Sequence, residues 1–239
     1  MCGRFTHLYK WRDIHRLSTL TTPELDFAVS YNVAPTQAAP VLRQDERGRR
    51  LDLLRWGLIP WWSKDAKIGA TLINARAETL PSKPAFRSAF AARRCLVPVS
   101  GFYEWRRLDA KAKQPYYLRS AGDDEPLFLA GLWESWKDPE GERLETFTIV
   151  TTTPNELVAQ LHDRMPAILD PADFGTWLDP KASAEALTAL LRPYPAELML
   201  SHPVSRLVNS PRNNGPECVA CPPEADQPPL FDAGPSRQP

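Results

Sequence analysis

This chain has no long apolar run, no net charge and very little cysteine. No hydrophobic stretch approaches the roughly 20 residues that a bilayer span needs, and the amino terminus lacks the apolar core of a secretory signal. Lysine plus arginine and aspartate plus glutamate each number 29, so the formal net charge is zero. Bulk charge therefore gives no argument for nucleic acid or membrane surfaces, and any such role has to rest on local placement of cations. Four cysteines, Cys2, Cys95, Cys218 and Cys221, are too few and too unevenly spaced for a disulfide framework. They read as reduced thiols in a soluble, cytoplasmic protein. Cys218-Val219-Ala220-Cys221 has metal-ligand spacing, but no second pair or nearby histidine completes a tetrahedral zinc site. Neither a metal nor a cofactor is expected.

Proline, by contrast, is plentiful: 25 of 239 residues. That favours short strands and loops over a helical bundle. Apolar segments bounded by turn residues at 50–58, 95–99, 126–133 and 146–151 read as strands. Helices are expected at 84–94, with Phe86 and Phe90 on one face and Arg87, Arg93 and Arg94 in solvent, and at 156–161, opened by a Thr153-Pro154-Asn155-Glu156 capping box. A third runs from Asp170-Pro171 through Trp177. The class is α+β: a single β-rich domain of short, mainly antiparallel strands with a few short helices, covering residues 1–210. Residues 211–239 are proline-rich and polar, and read as a disordered tail whose few apolar side chains cannot offset its ordering entropy.

The chemistry begins at Met1-Cys2-Gly3-Arg4-Phe5. Removal of the initiator methionine leaves a 1,2-aminothiol. Its amine and thiol have reference pKa values near 7.7–8.0 and about 8.5, and together they can close a five-membered thiazolidine on an aldehyde carbon. Many chains begin Met-Cys by chance, so the other polar groups in apolar settings matter. Asn74, in Thr71-Leu72-Ile73-Asn74-Ala75-Arg76, reads either as a turn asparagine or as an amide that bonds the reacting terminus. Glu104 is flanked by aromatics in Gly101-Phe102-Tyr103-Glu104-Trp105-Arg106, a setting that would raise its pKa into the range of a general acid. His162 follows a helix in Leu161-His162-Asp163-Arg164, where it either answers the helix dipole or carries a proton. His7, His15 and His202 read as structural. Arg4, Arg76, Arg106 and Arg164 each lie within two residues of one of these four, which suits an anionic, phosphate-bearing substrate. Trp62 and Trp105 offer flat faces for bases, whereas Trp56, Trp133 and Trp177 read as core.

Six blocks then fall in order: Met1-Cys2-Gly3-Arg4-Phe5, Tyr31-Asn32-Val33-Ala34-Pro35-Thr36, Arg55-Trp56-Gly57-Leu58-Ile59-Pro60-Trp61-Trp62, Ile73-Asn74-Ala75-Arg76-Ala77-Glu78-Thr79, the stretch from Cys95 to Trp105, and Leu161-His162-Asp163-Arg164-Met165-Pro166. Over residues 2 to 210 the chain resembles the SRAP family, abasic-site processing factors that crosslink to DNA. The resemblance implies that Cys2 captures the ring-opened aldehyde of an abasic site in single-stranded DNA as a thiazolidine. Asn74 would orient terminus and sugar, and Glu104 and His162 would move protons. Arg4, Arg76 and Arg164 would hold phosphates, with Trp105 and Trp62 against sugar or bases. It also implies self-removal of the initiator methionine and abasic-site lyase activity, in a protein acting as a monomer and associated with the nucleoid when on DNA.

Two other functions use the same residues: an N-terminal-nucleophile cysteine peptidase acting on other polypeptides, and a non-covalent single-strand-binding module. In the tail, Gln227, Leu230 and Phe231 form a Gln-Pro-Pro-Leu-Phe run that looks like the short peptides that dock on bacterial sliding clamps.

Overall fold

Side chains alternating between two apolar environments build two sheets that share one apolar cluster, in which Cys2 lies. The structure, a computed structural model, describes residues 2–110, 112–122 and 125–223. Its strands are β1 (Phe5–His7), β2 (Ser30–Val33), β3 (Ala38–Asp45), β4 (Gly48–Trp56), β5 (Asn74–Arg76), β6 (Arg94–Val99), β7 (Gly101–Arg107), β8 (Lys113–Ser120), β9 (Leu127–Lys137), β10 (Arg143–Thr152), β11 (Met165–Pro166) and β12 (Met199–Pro203). One sheet runs β12-β8-β7-β1-β2. The other runs β11-β10-β4-β3-β6-β9, and because β9 also pairs with β10, five of its strands close into a barrel. Closure removes the unpaired edges that an open sheet would present. Only β4 and β5 lie parallel to their neighbour β10; the other named pairs are antiparallel, so the α+β, mainly antiparallel class read from the sequence holds.

Three apolar clusters follow from the two-residue period of strands. Trp56, Phe147, Val97 and Leu129 fill the barrel together with Cys2, Phe5 and Phe102 of the first sheet. Phe86, Phe90, Phe174 and Trp177 form a second core between barrel and helices. Tyr103, Tyr117, Val204, Val208 and Cys218 form a third, on the outer face of the first sheet. β7 therefore turns Phe102 to the barrel and Tyr103 to the outside.

The helices are α1 (Trp11–Ser18), α2 (Arg87–Ala92), α3 (Glu156–Ala159), α4 (Phe174–Leu178) and α5 (Ala184–Leu190). Three correct or extend the sequence reading. The cap of α3 is Asn155, whose side chain accepts from the Val158 N–H at 2.9 Å; β10 holds the chain extended as far as Thr152, so Thr153 is too early. Neither α1 nor α5 was anticipated, although Ser183 caps α5 through the Ala186 N–H in the ordinary way. Arg94 is not solvated and Arg93 is only partly so. Arg93 pairs with Glu134, and buried Arg94 donates to the carbonyls of Phe90, Ala91, Trp177 and Asp179 at two helix ends, where a cation answers unsatisfied oxygens. Trp56 and Trp177 are core as expected, whereas Trp133 is only half-buried beneath the Arg43 guanidinium, 4.2 Å from its ring.

The packed body also runs past residue 210. One buried amide, Asn32 Nδ2, donates to the carbonyls of Val208, Ser210 and Asn213, and Asn214 Oδ1 accepts from the Tyr31 N–H at 2.8 Å. Cys218 is fully buried and Cys221 exposed. The composition of 211–223 underestimates its order because hydrogen bonds from Asn32 and Asn214, together with burial of Cys218 in the third cluster, hold it. Gln227, Leu230 and Phe231 lie outside the described residues.

Gly57 shows how closely the turn leading to Trp62 is built. Its φ is +117°, and a Cβ there would stand 2.5 Å from the Gly69 carbonyl oxygen. Gly57→Ala is expected to destabilise the protein by about 1–3 kcal/mol, through backbone strain and the clash together. The urea midpoint measures it, and an unchanged midpoint would refute the strain.

Candidate active site

Cys2 sits just ahead of β1, which pairs with β7 on one side and β2 on the other. This seats the residue between the first sheet and the barrel, fully buried in the barrel cluster with Leu161 and Met165. Asn74 opens β5, whose parallel register beside β10 brings its Nδ2 within 2.8 Å of the Cys2 carbonyl oxygen as a donor. Its Oδ1 is buried and, among the described residues, has no hydrogen-bond partner. Glu104 lies two residues beyond Phe102 on β7, hence on the same barrel-facing side, and is 2% exposed.

The electrostatics tie these groups together. Burial pushes the Cys2 thiol well above its ordinary range, and the Glu104 charge adds to the effect. The thiol is thus held as S–H at neutral pH. Burial also lifts the Glu104 carboxyl to about 7. His162, which follows α3, is pushed below its ordinary value chiefly by burial, with Asp163 opposing. Its Nδ1 accepts from the Arg164 N–H at 3.0 Å. Asp163 Oδ1 lies 2.8 Å from the same nitrogen, which can donate to it when it carries a proton, in the neutral or the charged ring.

The cations divide. Arg76, at the end of β5, is exposed. Arg4 is clamped, its Nη1 donating to Asn32 Oδ1 and to the Val208 carbonyl, each at 2.7 Å. Arg164 makes a two-pronged pair with Glu78 at 2.7 and 3.0 Å and donates to the Thr151 carbonyl at 2.6 Å. Trp105, adjacent to Glu104, points the other way: its ring joins Tyr103 in the outer cluster and its Nε1 donates to Asn209 Oδ1 at 2.8 Å. Trp62 is 47% exposed on the loop after Gly57. His202 bonds the Val219 carbonyl at 2.8 Å.

Asn32 and Glu78 escaped the sequence reading as site-supporting residues. Both lie inside blocks already singled out, but their partners are 176 and 86 positions away, and no local pattern encodes such a pairing.

The family model described as SOS response associated peptidase (SRAP) matches residues 1–211. The abasic site processing protein YoqW of Bacillus subtilis is 48% identical over 222 residues, covering 92% of this chain and 99% of its own length. The abasic site processing protein HMCES of Rattus norvegicus is 32% identical over 252 residues, covering 89% of this chain and 68% of its own. A solved structure from Bacteroides thetaiotaomicron superposes with a TM-score of 0.81 at 28% identity, covering 92% of this chain and all of that one.

Proposed function

This chain belongs to the SOS response associated peptidase family, and from that premise we propose that it recognises abasic sites in single-stranded DNA and captures them covalently through Cys2. The observation that carries the proposal is a buried 1,2-aminothiol precursor, Cys2, with its carbonyl held by Asn74 and a carboxyl of pKa about 7 beside it.

Once the initiator methionine is removed, the Cys2 α-amine adds to the aldehyde carbon of the ring-opened sugar. The carbinolamine loses water to give an imine, and the Cys2 S–H then adds across the C=N bond. Aldehyde and aminothiol thus yield thiazolidine and one water. The burial that keeps the thiol protonated makes nitrogen the first nucleophile and sulfur the second. A carboxyl titrating near 7 can deliver a proton to the departing hydroxyl and take one back at neutral pH, as efficient acid–base catalysis requires. His162, neutral and half-exposed, serves proton exchange at the mouth. Asn74 Oδ1 is free to accept from the sugar or the amine. Arg76 takes a flanking phosphate, with Arg4 and Arg164 adding charge from fixed positions, and Trp62 and Trp105 lie against sugar or bases.

The test is a denaturing gel of the protein, its methionine confirmed absent by mass spectrometry, with an oligonucleotide carrying one abasic site. A band that survives denaturation, lost in Cys2→Ala and mapped to the N-terminal peptide, is expected. Its absence would refute capture and turn attention to peptide hydrolysis.

A further inference from the structure

Residues 57–65, which follow β4 and carry the exposed Trp61 and Trp62, belong to no strand or helix. Their backbone is nonetheless held at every second residue by a buried side chain. The Ile59 N–H donates to Thr146 Oγ1 at 2.9 Å. The Trp61 N–H donates to the Glu134 carboxylate. The Ser63 carbonyl accepts from Trp136 Nε1 at 2.7 Å. Strand register explains the spacing. Thr146 of β10 lies opposite Glu134 of β9, and Trp136 comes two residues further along β9, so the three side chains rise from one face of the ladder. Together they hold the loop as a neighbouring strand would.

Glu134 is 3% exposed and is also paired with Arg93, which follows α2 and is itself bonded to Ser88 Oγ at 2.8 Å. A buried ion pair of this kind is often no more stabilising than apolar residues of the same volume. Its distinct contribution is to specify where the Trp61 backbone lies. We propose that Glu134 and Trp136 are positioning residues for lesion capture, holding residues 59–63 in the one conformation in which Trp62 meets the strand. This rests on the reading that Cys2 captures abasic sites in single-stranded DNA. Both residues act through the loop and not on the reacting atoms. A loop without these anchors would lose conformational freedom only when the strand binds, which weakens binding and leaves the chemistry at Cys2 unchanged.

Two aldehydes separate positioning from chemistry. One is an oligonucleotide with a single abasic site. The other is 2-deoxyribose 5-phosphate, which offers the ring-opened aldehyde with no neighbouring nucleotide. Trp136→Phe keeps an aromatic ring and removes only the donor to Ser63. In this variant the strand concentration for half-maximal capture rate is expected to rise by up to about tenfold, the worth of one neutral hydrogen bond. Glu134→Ala, which removes a charged acceptor, should raise it further. Glu134→Gln keeps an acceptor for the Trp61 N–H and should recover most of that loss. The rate at saturating strand, and the capture of the sugar phosphate, should match the parent in all three. If Glu134→Ala does not fold, Trp136→Phe carries the same test. An unchanged half-maximal concentration in the folded variants overturns the positioning role and leaves lesion capture standing. A loss that falls equally on the sugar phosphate also overturns it, because the damage has then reached Cys2. A parent protein that captures neither aldehyde overturns the functional reading, and the positioning role with it.

Discussion

Changing Glu104 to glutamine is expected to slow adduct formation by about 10²–10⁴-fold and, at the same time, to stabilise the folded protein above neutral pH. Both effects come from one burial. The folded carboxyl titrates at about 7 against an ordinary 4.5, raised chiefly by desolvation. A carboxyl with a raised folded pKa favours the fold only while it is protonated. Between about pH 4.5 and 7 the unfolded chain gives up the proton while the folded one keeps it, so stability falls as pH rises through that window. Above 7 both forms are ionised and the deficit is constant, at most about 3 kcal/mol. Glutamine cannot titrate, so urea unfolding should find the variant level with the parent near pH 4 and more stable at pH 8. Its rate profile should also lose the inflection near pH 7. A stability difference that is the same at both pH values would remove desolvation as the cause.

Cys2→Ser is expected to turn capture into cleavage. The serine α-amine can still form the imine, but its hydroxyl is a far weaker nucleophile toward C=N than a thiol. The ring does not close, and the imine is left open to β-elimination at the 3′ phosphate. Gels should show the heat-stable band lost and the cleaved strand gained. Borohydride, which reduces an imine to a stable amine, should restore a covalent band in the serine variant. An untrapped, heat-stable adduct from Cys2→Ser would refute the order of nitrogen first and sulfur second.

Much of this protein was legible in its residues. Four strands, the helix bearing Phe86 and Phe90, and the buried Trp56 and Trp177 followed from apolar periodicity, because which face a residue takes is a local property. Cys2, Asn74, Glu104 and His162 stood out as polar groups in apolar company, and the ordered blocks around them led to the family. Local pattern gave the wrong cap for α3 and put Arg94 in water, because the carbonyls that Arg94 answers belong to two separate helices. Nor could it place the residues past 210, whose partners, Asn32, Tyr31 and the outer apolar cluster, lie far away in the chain. Only the tertiary structure decided which polar groups are spent on the protein itself and which stay open. Arg4 and Arg164 are committed to Asn32 and Glu78, while Arg76, Lys113 and Arg206 face solvent. It likewise set Glu104 and Trp105 on opposite faces of one strand. Sequence fixes the chemistry a side chain can perform, but burial and long-range pairing, which arise only when distant segments meet, determine whether it is free to perform it.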